Sequence, residues 1–230
     1  MAIMRAGALA GQLSGRVGGI VFSRNRGGDY VRNGPSPVNP QTSYQVAVRN
    51  AMSLASTRWN DMAATARAAW TAWAQNNPVQ NRIGETIRLQ GNAAFVSLNS
   101  RLAFLGTAVV DTPPVVSAPP PLLTLTGTFD IGAGAFQAAY TATPLPAGAK
   151  LWVYGCRPMS LGISNVRNRL RHFITGGAAG ASPLDIETAF YARFGTPAVG
   201  EAIIIRAGVL SGTDGQLSAM LEYRGLVVTT

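Results

Sequence analysis

The sequence predicts an α+β fold with an extended N-terminal arm carrying a β-hairpin, a small helical module and a C-terminal β-sandwich. Glycine, arginine and asparagine concentrate in residues 1–40, and apolar residues recur at helical spacing in residues 41–110. Beyond a proline-rich linker at residues 111–121, short strand-like segments alternate with glycine and proline turns over residues 122–230. These four ranges are the predicted domain limits.

The arm contains two β-capable runs, residues 16–23 and 30–32, separated by a glycine-containing turn at residues 24–29. Ile20 and Phe22 share one face of the first run because side chains alternate along a strand. An isolated two-stranded hairpin is only marginally stable in water. The hairpin should therefore pack on another element or on a partner.

Three helices are predicted for the module. Thr42 is the expected N-cap of the first, with Gln45 at the capping-box position. Its apolar stripe follows at helical spacing: Tyr44, Val48, Ala51, Ala55 and Trp59. The second helix is expected at about residues 65–74, and the third begins at a cap on Asn92 and ends at Gly106. One aromatic nucleus should join these helices: Trp59, Met62, Trp70 and Trp73.

After the linker, five strands are predicted at residues 122–129, 135–143, 150–157, 203–210 and 217–228. Residues 150–154 combine aromatic and β-branched side chains, which is typical of a sandwich core. One helix interrupts the strands, with Ser182 as N-cap, Pro183 at the first helical position and Gly195 as its end.

Arginine carries nearly all of the positive charge. The chain has 19 basic and 10 acidic residues, a net charge of +9, and Lys150 is its only lysine. Residues 1–58 hold seven of the arginines, and Asp29 is their only acidic residue. Because the planar guanidinium pairs with carboxylates and phosphates alike, both protein docking and nucleic-acid binding stay open.

Catalytic chemistry has no candidate in the sequence. His172 is the single histidine, lies among arginines, and has neither a second histidine for a metal site nor a nearby carboxylate to orient it as a base. Cys156 is the single cysteine, which excludes an intramolecular disulfide. Residues 15–19 are glycine-rich but lack the Lys-Ser/Thr ending of a phosphate loop. We therefore expect a non-enzymatic protein with no cofactor and no metal.

No run approaches the roughly 18 apolar residues that a membrane span requires. We therefore expect no membrane partner and synthesis in the cytoplasm. Nine residues are predicted to contact partners: Arg16, Phe22, Arg24, Arg26, Tyr30, Arg32, Arg167, Arg169 and Arg171. The last three alternate along the chain and would share one face if they formed a strand.

The run SGRVGGIVFSRNRGGDYVR at residues 14–32, followed by Asn39-Pro40-Gln41-Thr42 and by Trp59, resembles uncharacterised phage-encoded proteins of virion structural genes. This resemblance implies a structural component of a bacteriophage particle, namely a head decoration or minor capsid protein or a neck or tail protein. It would dock through its arm on other virion proteins, including further copies of itself as a homo-oligomer. The virion is then the expected location.

The C-terminal part resembles a fibronectin type III or immunoglobulin-like sandwich. The helix near Pro183 and the arginine-rich segment before it depart from a plain sandwich. Binding of a host-surface glycan would follow from fold analogy alone, and we do not expect it. A nucleic-acid-binding protein acting through arginine–phosphate contacts is the alternative function.

Overall fold

A computed structural model of the chain describes residues 2–3, 14–25, 28–34, 39–81, 84–141, 143–163, 166, 168–176 and 182–230. The chain forms two compact units, Met1–Ser43 and Tyr44–Thr230. Helices and antiparallel sheets occur together, which confirms the predicted α+β class.

The N-terminal unit contains one antiparallel sheet. Its strands are β1 (Ala2–Ile3), β2 (Gly15–Val17), β3 (Ile20–Asn25) and β4 (Gly28–Asn33). They lie in the order β1-β4-β3-β2. The predicted unbroken strand at residues 16–23 is wrong because Gly18 adopts φ 58° and the chain reverses there, so that β2 pairs with β3. Residues 26–27 of the predicted turn and residues 35–38 of the proline-rich arm lie outside the described residues.

The helical part of the second unit contains helices and a short strand pair: α1 (Ser43–Asp61), α2 (Ala64–Asn76), β5 (Val79–Gln80), β6 (Thr86–Ile87) and α3 (Gly91–Phe104). The predicted stripe of α1 is confirmed, since Ala51 and Ala55 are buried and Trp59 is half-buried. The predicted nucleus is confirmed as well. Met62 and Trp70 are buried in it, and the Trp70 ring lies 5.2 Å from that of Phe95 on α3.

The start of α3 differs from the predicted one, whereas its end agrees with it. The helix starts at Gly91, so Asn92 is inside the first turn and is not its cap, although Asn92 Oδ1 accepts a bond from the backbone N–H of Ala93. The predicted end at Gly106 is confirmed. Gly106 adopts φ 73°, and its N–H donates to the carbonyl of Ala103 while that of Thr107 donates to Leu102. This pair of bonds is a Schellman motif, which favours glycine.

The C-terminal elements are β7 (Thr124–Asp130), β8 (Ala135–Thr141), β9 (Ala149–Gly155), β10 (Arg171–Thr175), β11 (Leu184–Asp185), α4 (Glu187–Phe194), β12 (Ala202–Ser211) and β13 (Leu221–Leu226). They form two antiparallel sheets, β10-β9-β12-β13 and β11-β8-β7. Side chains of both sheets, including Phe136, Leu151 and Ile205, share one apolar core. Along β9 only alternate residues enter this core: Leu151 and Val153 do, whereas Trp152 lies against Phe104 of α3.

The helix predicted to begin at Ser182 begins later, at Glu187. Leu184 and Asp185 pair with Ala138 and Gln137 of β8, so the backbone at the expected first turn belongs to a sheet. Tertiary pairing has therefore overridden the local helix-start signal at Pro183. The predicted end is confirmed, since Gly195 follows the last helical residue with φ 89°.

The predicted linker makes hydrogen bonds to folded elements. The Nε of Arg58 donates to Asp111 Oδ1 at 2.8 Å, and Trp70 Nε1 donates to the Asp111 carbonyl at 2.6 Å. Further along, Gln216 Nε2 donates to the Val116 carbonyl at 2.8 Å. Separate folding of residues 41–110 and 122–230 stays a prediction.

Candidate interaction surface

One face of the N-terminal sheet is apolar. In the strand register Val17 lies opposite Ile20, and Val31 lies opposite Phe22. Directly paired residues of antiparallel strands project to the same side, so these four side chains form one patch, which we call the apolar face. Val17 is 71% exposed and Ile20 is 44% exposed.

The opposite face is basic. Arg16 and Arg32 both lie opposite Val21 from the strands on either side of it, and both are exposed. Tyr30 lies opposite Ser23 on the same side and is half-buried. Two guanidinium groups and a phenol ring therefore share this side of the sheet, which we call the basic face.

Arg24 lies on the apolar side, at the end of the strand pair, opposite Asp29. Its Nε is 3.6 Å from Asp29 Oδ1. The Arg24 side chain is exposed and the Asp29 side chain is half-buried, and a pair near the surface contributes at most about 1 kcal/mol. Arg24 thus lies at the edge of the apolar face and adds a positive charge there. Arg26 lies outside the described residues.

None of the described side chains in the unit Met1–Ser43 is buried. Sheets are normally stabilised by covering their apolar face with a second layer. The apolar face, on a sheet in which every described side chain is exposed or half-buried, therefore presents a surface suited to contact with another molecule. Of the predicted contact residues, the sheet gathers Arg16, Phe22, Arg24, Tyr30 and Arg32 but divides them between its two faces.

Arg169 and Arg171 do not lie on one strand, so the predicted alternation does not place them on a common strand face. Strand β10 begins at Arg171, and Arg169 lies in the turn before it, where its Nη1 approaches Met159 Sδ at 3.8 Å. Arg167 lies outside the described residues. Arg169 and Arg171 are exposed.

His172 lies on β10, and its contact with Tyr44 could not be predicted from the sequence. Its Nδ1 is 3.1 Å from the Tyr44 hydroxyl, its Nε2 is 3.0 Å from Thr175 Oγ1, and its ring stacks on Trp152 at 3.8 Å. Burial lowers the pKa of His172 from 6.5 to about 4. With both nitrogens engaged and no carboxylate among these contacts, the imidazole is a packed, neutral part of the fold. Alternation along β9 predicts that Trp152 and Tyr154 share one face of that strand. No sequence signal joins His172 to Tyr44, which is 128 residues away.

The described residues contain no cluster of His, Cys, Asp or Glu suited to holding a metal ion. Among them there is also no helix with the length and hydropathy needed to cross a bilayer. No protein-family model matches the chain, and no curated protein is significantly similar to it.

Proposed function

We propose that this chain is a non-enzymatic structural component of a bacteriophage particle, a head decoration, minor capsid, neck or tail protein, that docks through its N-terminal sheet. The observation that carries the proposal is the apolar face of Val17, Ile20, Phe22 and Val31 on a sheet whose described side chains are all exposed or half-buried. The sequence resemblance of residues 14–32 to virion structural proteins supplies the phage context.

The apolar face fits a partner surface with its own exposed apolar side chains. Full burial of a valine, isoleucine or phenylalanine side chain contributes about 1.5–3 kcal/mol, so covering this face would favour association. The partners are other virion proteins, including further copies of this chain. The virion is the location that follows.

For the C-terminal region we propose an immunoglobulin-like or fibronectin type III-like sandwich. Strands β7 and β8 lie in one sheet, β9 and β10 in the other, β11 returns to the first, and β12 and β13 return to the second. Such alternation between two sheets around one core supports that assignment. Helix α4 between β11 and β12 is an addition to it.

Substitution of Val17 by Asp in the full chain tests docking. A carboxylate on the apolar face should abolish incorporation into particles, because docking would remove it from water without a charged partner. Because Val17 is 71% exposed, the substitution should not impair folding of the chain. Ser23→Asp places the same group on the other face of the neighbouring strand and should be incorporated normally. Mass-spectrometric counting of the chain in purified particles measures both variants. Normal incorporation of Val17→Asp would refute docking through this face.

The basic face favours one alternative, a nucleic-acid-binding protein. Arg16 and Arg32 flank Val21 with Tyr30 on the same side, an arrangement that combines phosphate-binding cations with a ring on which a base could stack. Replacing both arginines by Gln should then weaken DNA binding and flatten its salt dependence. Binding that is insensitive to salt counts against this alternative.

A further inference from the structure

A pocket of about 290 Å³ lies within the unit Tyr44–Thr230, between helices α1 and α3 and strands β9 and β10. Four aromatic side chains line it: Tyr44, Phe104, Trp152 and Tyr154. Two arginines, Arg101 and Arg171, line it as well, and none of the described lining residues is an aspartate or glutamate. The pocket is thus mainly apolar with positive charge at defined points, and its volume is near the lower end for ligand sites.

The two arginines have unused hydrogen-bonding capacity. Arg101 Nη1 donates to the Gly215 carbonyl at 2.9 Å, and Arg171 Nη1 donates to the carbonyls of Asn168 and Leu170 at 2.9 and 2.8 Å. In the described part of the chain neither guanidinium is in an ion pair, and their Nε and Nη2 atoms have no acceptor. Burial without a carboxylate lowers the pKa of Arg101 from its usual value, so a nearby anion would stabilise its charge.

The aromatic wall is held in place before any ligand binds. The Trp152 ring is 3.8 Å from that of His172, and the Phe104 ring packs edge-on to Trp152 at 5.7 Å. Tyr44 is fixed by its bond to His172 and by the Arg193 guanidinium, which lies 4.0 Å above its ring. Preorganised walls reduce the ordering cost of binding.

We propose that this pocket binds a carboxylate carried on an aromatic or aliphatic body. The apolar body would pack among the rings, and the carboxylate would accept hydrogen bonds from the Nε and Nη2 groups of Arg101 and Arg171, which have no acceptor among the described residues. Positive charge without acidic lining residues selects an anion over a neutral or cationic analogue of the same shape. This binding is independent of the N-terminal sheet.

Three probes with the same body and different charge test the proposal on the full chain: 3-phenylpropionate, 3-phenyl-1-propanol and 3-phenylpropylamine. The readout is the indole N–H resonance of Trp152 in ¹⁵N-labelled protein, assigned by its loss in Trp152→Phe. The propionate should shift this resonance saturably and bind about tenfold more tightly than the alcohol, since a charged hydrogen bond contributes about 1.5–3 kcal/mol. The amine should bind more weakly still. Equal affinity for acid and alcohol would overturn the proposal.

Arg171→Gln is the informative variant because Arg171 is exposed and its loss should not impair folding. It should weaken 3-phenylpropionate binding about tenfold and leave the alcohol unchanged. Arg67→Gln removes the same charge from an exposed position on α2 and should change neither affinity. An Arg171→Gln protein that binds the propionate as tightly as the parent chain contradicts the assignment.

A carboxylate next to an apolar group can belong to a free small acid or to a segment of a partner protein. The blocked dipeptide acetyl-Phe-Glu-amide, used with the same resonance, distinguishes these sources. Binding of the dipeptide in preference to 3-phenylpropionate assigns the pocket to a partner segment, and the reverse preference assigns it to a small acid. Binding of neither probe overturns the site.

Discussion

His172 is neutral in the folded chain over most of the pH range because it is buried against Trp152 and Tyr44. Its pKa falls from 6.5 to about 4, mainly through desolvation of the imidazolium and further through the positive charge of Arg193. Between these two values the unfolded chain binds a proton that the folded chain does not. Stability therefore decreases as the pH falls from about 6.5 to 4.

We expect this histidine to lower the free energy of unfolding by roughly 3 kcal/mol between pH 7 and pH 4, at about 1.4 kcal/mol per pKa unit. His172→Gln should be less stable at pH 7 but should lose this part of the acid dependence, and the chain has no other histidine to replace it. Urea unfolding at several pH values measures the difference. Parallel curves for the parent chain and the variant would contradict the pKa assignment.

At the scale of elements, the packing of α3 on α2 depends on Gly91. A β-carbon at this position would lie 2.5 Å from Thr71 Oγ1 and 2.9 Å from the Thr71 Cα, which belongs to the helix backbone and cannot move freely. Gly91→Ala should therefore destabilise the chain by about 1–3 kcal/mol, although alanine is the better helix former. Gly162→Ala is the control, since no atom of the described residues lies within 4 Å of its added carbon. Equal unfolding midpoints for the two variants would contradict the close contact.

The elements that the sequence predicted well are those whose signals are local. The spacing of Ala51, Ala55 and Trp59 identified α1, and glycines at 106 and 195 identified two helix ends. The errors occurred where distant pairing decided the structure. Residues 184–185 joined β8 in place of a helix start, and the four-stranded N-terminal sheet depends on a strand at residues 2–3 that the glycine-rich composition concealed.

In the candidate sites, too, the residues with local signals could be predicted, whereas their arrangement depends on distant contacts. Arg16, Phe22 and Arg32 could be proposed as contact residues from composition, yet their separation onto two faces follows only from the reversal at Gly18. The pocket brings Tyr44 and His172 together from positions 128 residues apart. Without covariation or a motif, a single sequence contains no signal for such a contact.

For the whole molecule, the large apolar cores lie in one unit. The buried clusters run from Ala55 to Val227, and all four tryptophans are at positions 59–152, whereas the described part of Met1–Ser43 has no buried side chain. Deleting residues 1–40 should therefore change the free energy of unfolding by no more than about 0.5 kcal/mol, as for changes at a surface. Tryptophan fluorescence in urea reports this directly, because every tryptophan is retained. A loss of several kcal/mol would show that the N-terminal sheet stabilises the remaining fold and would argue against its availability for a partner.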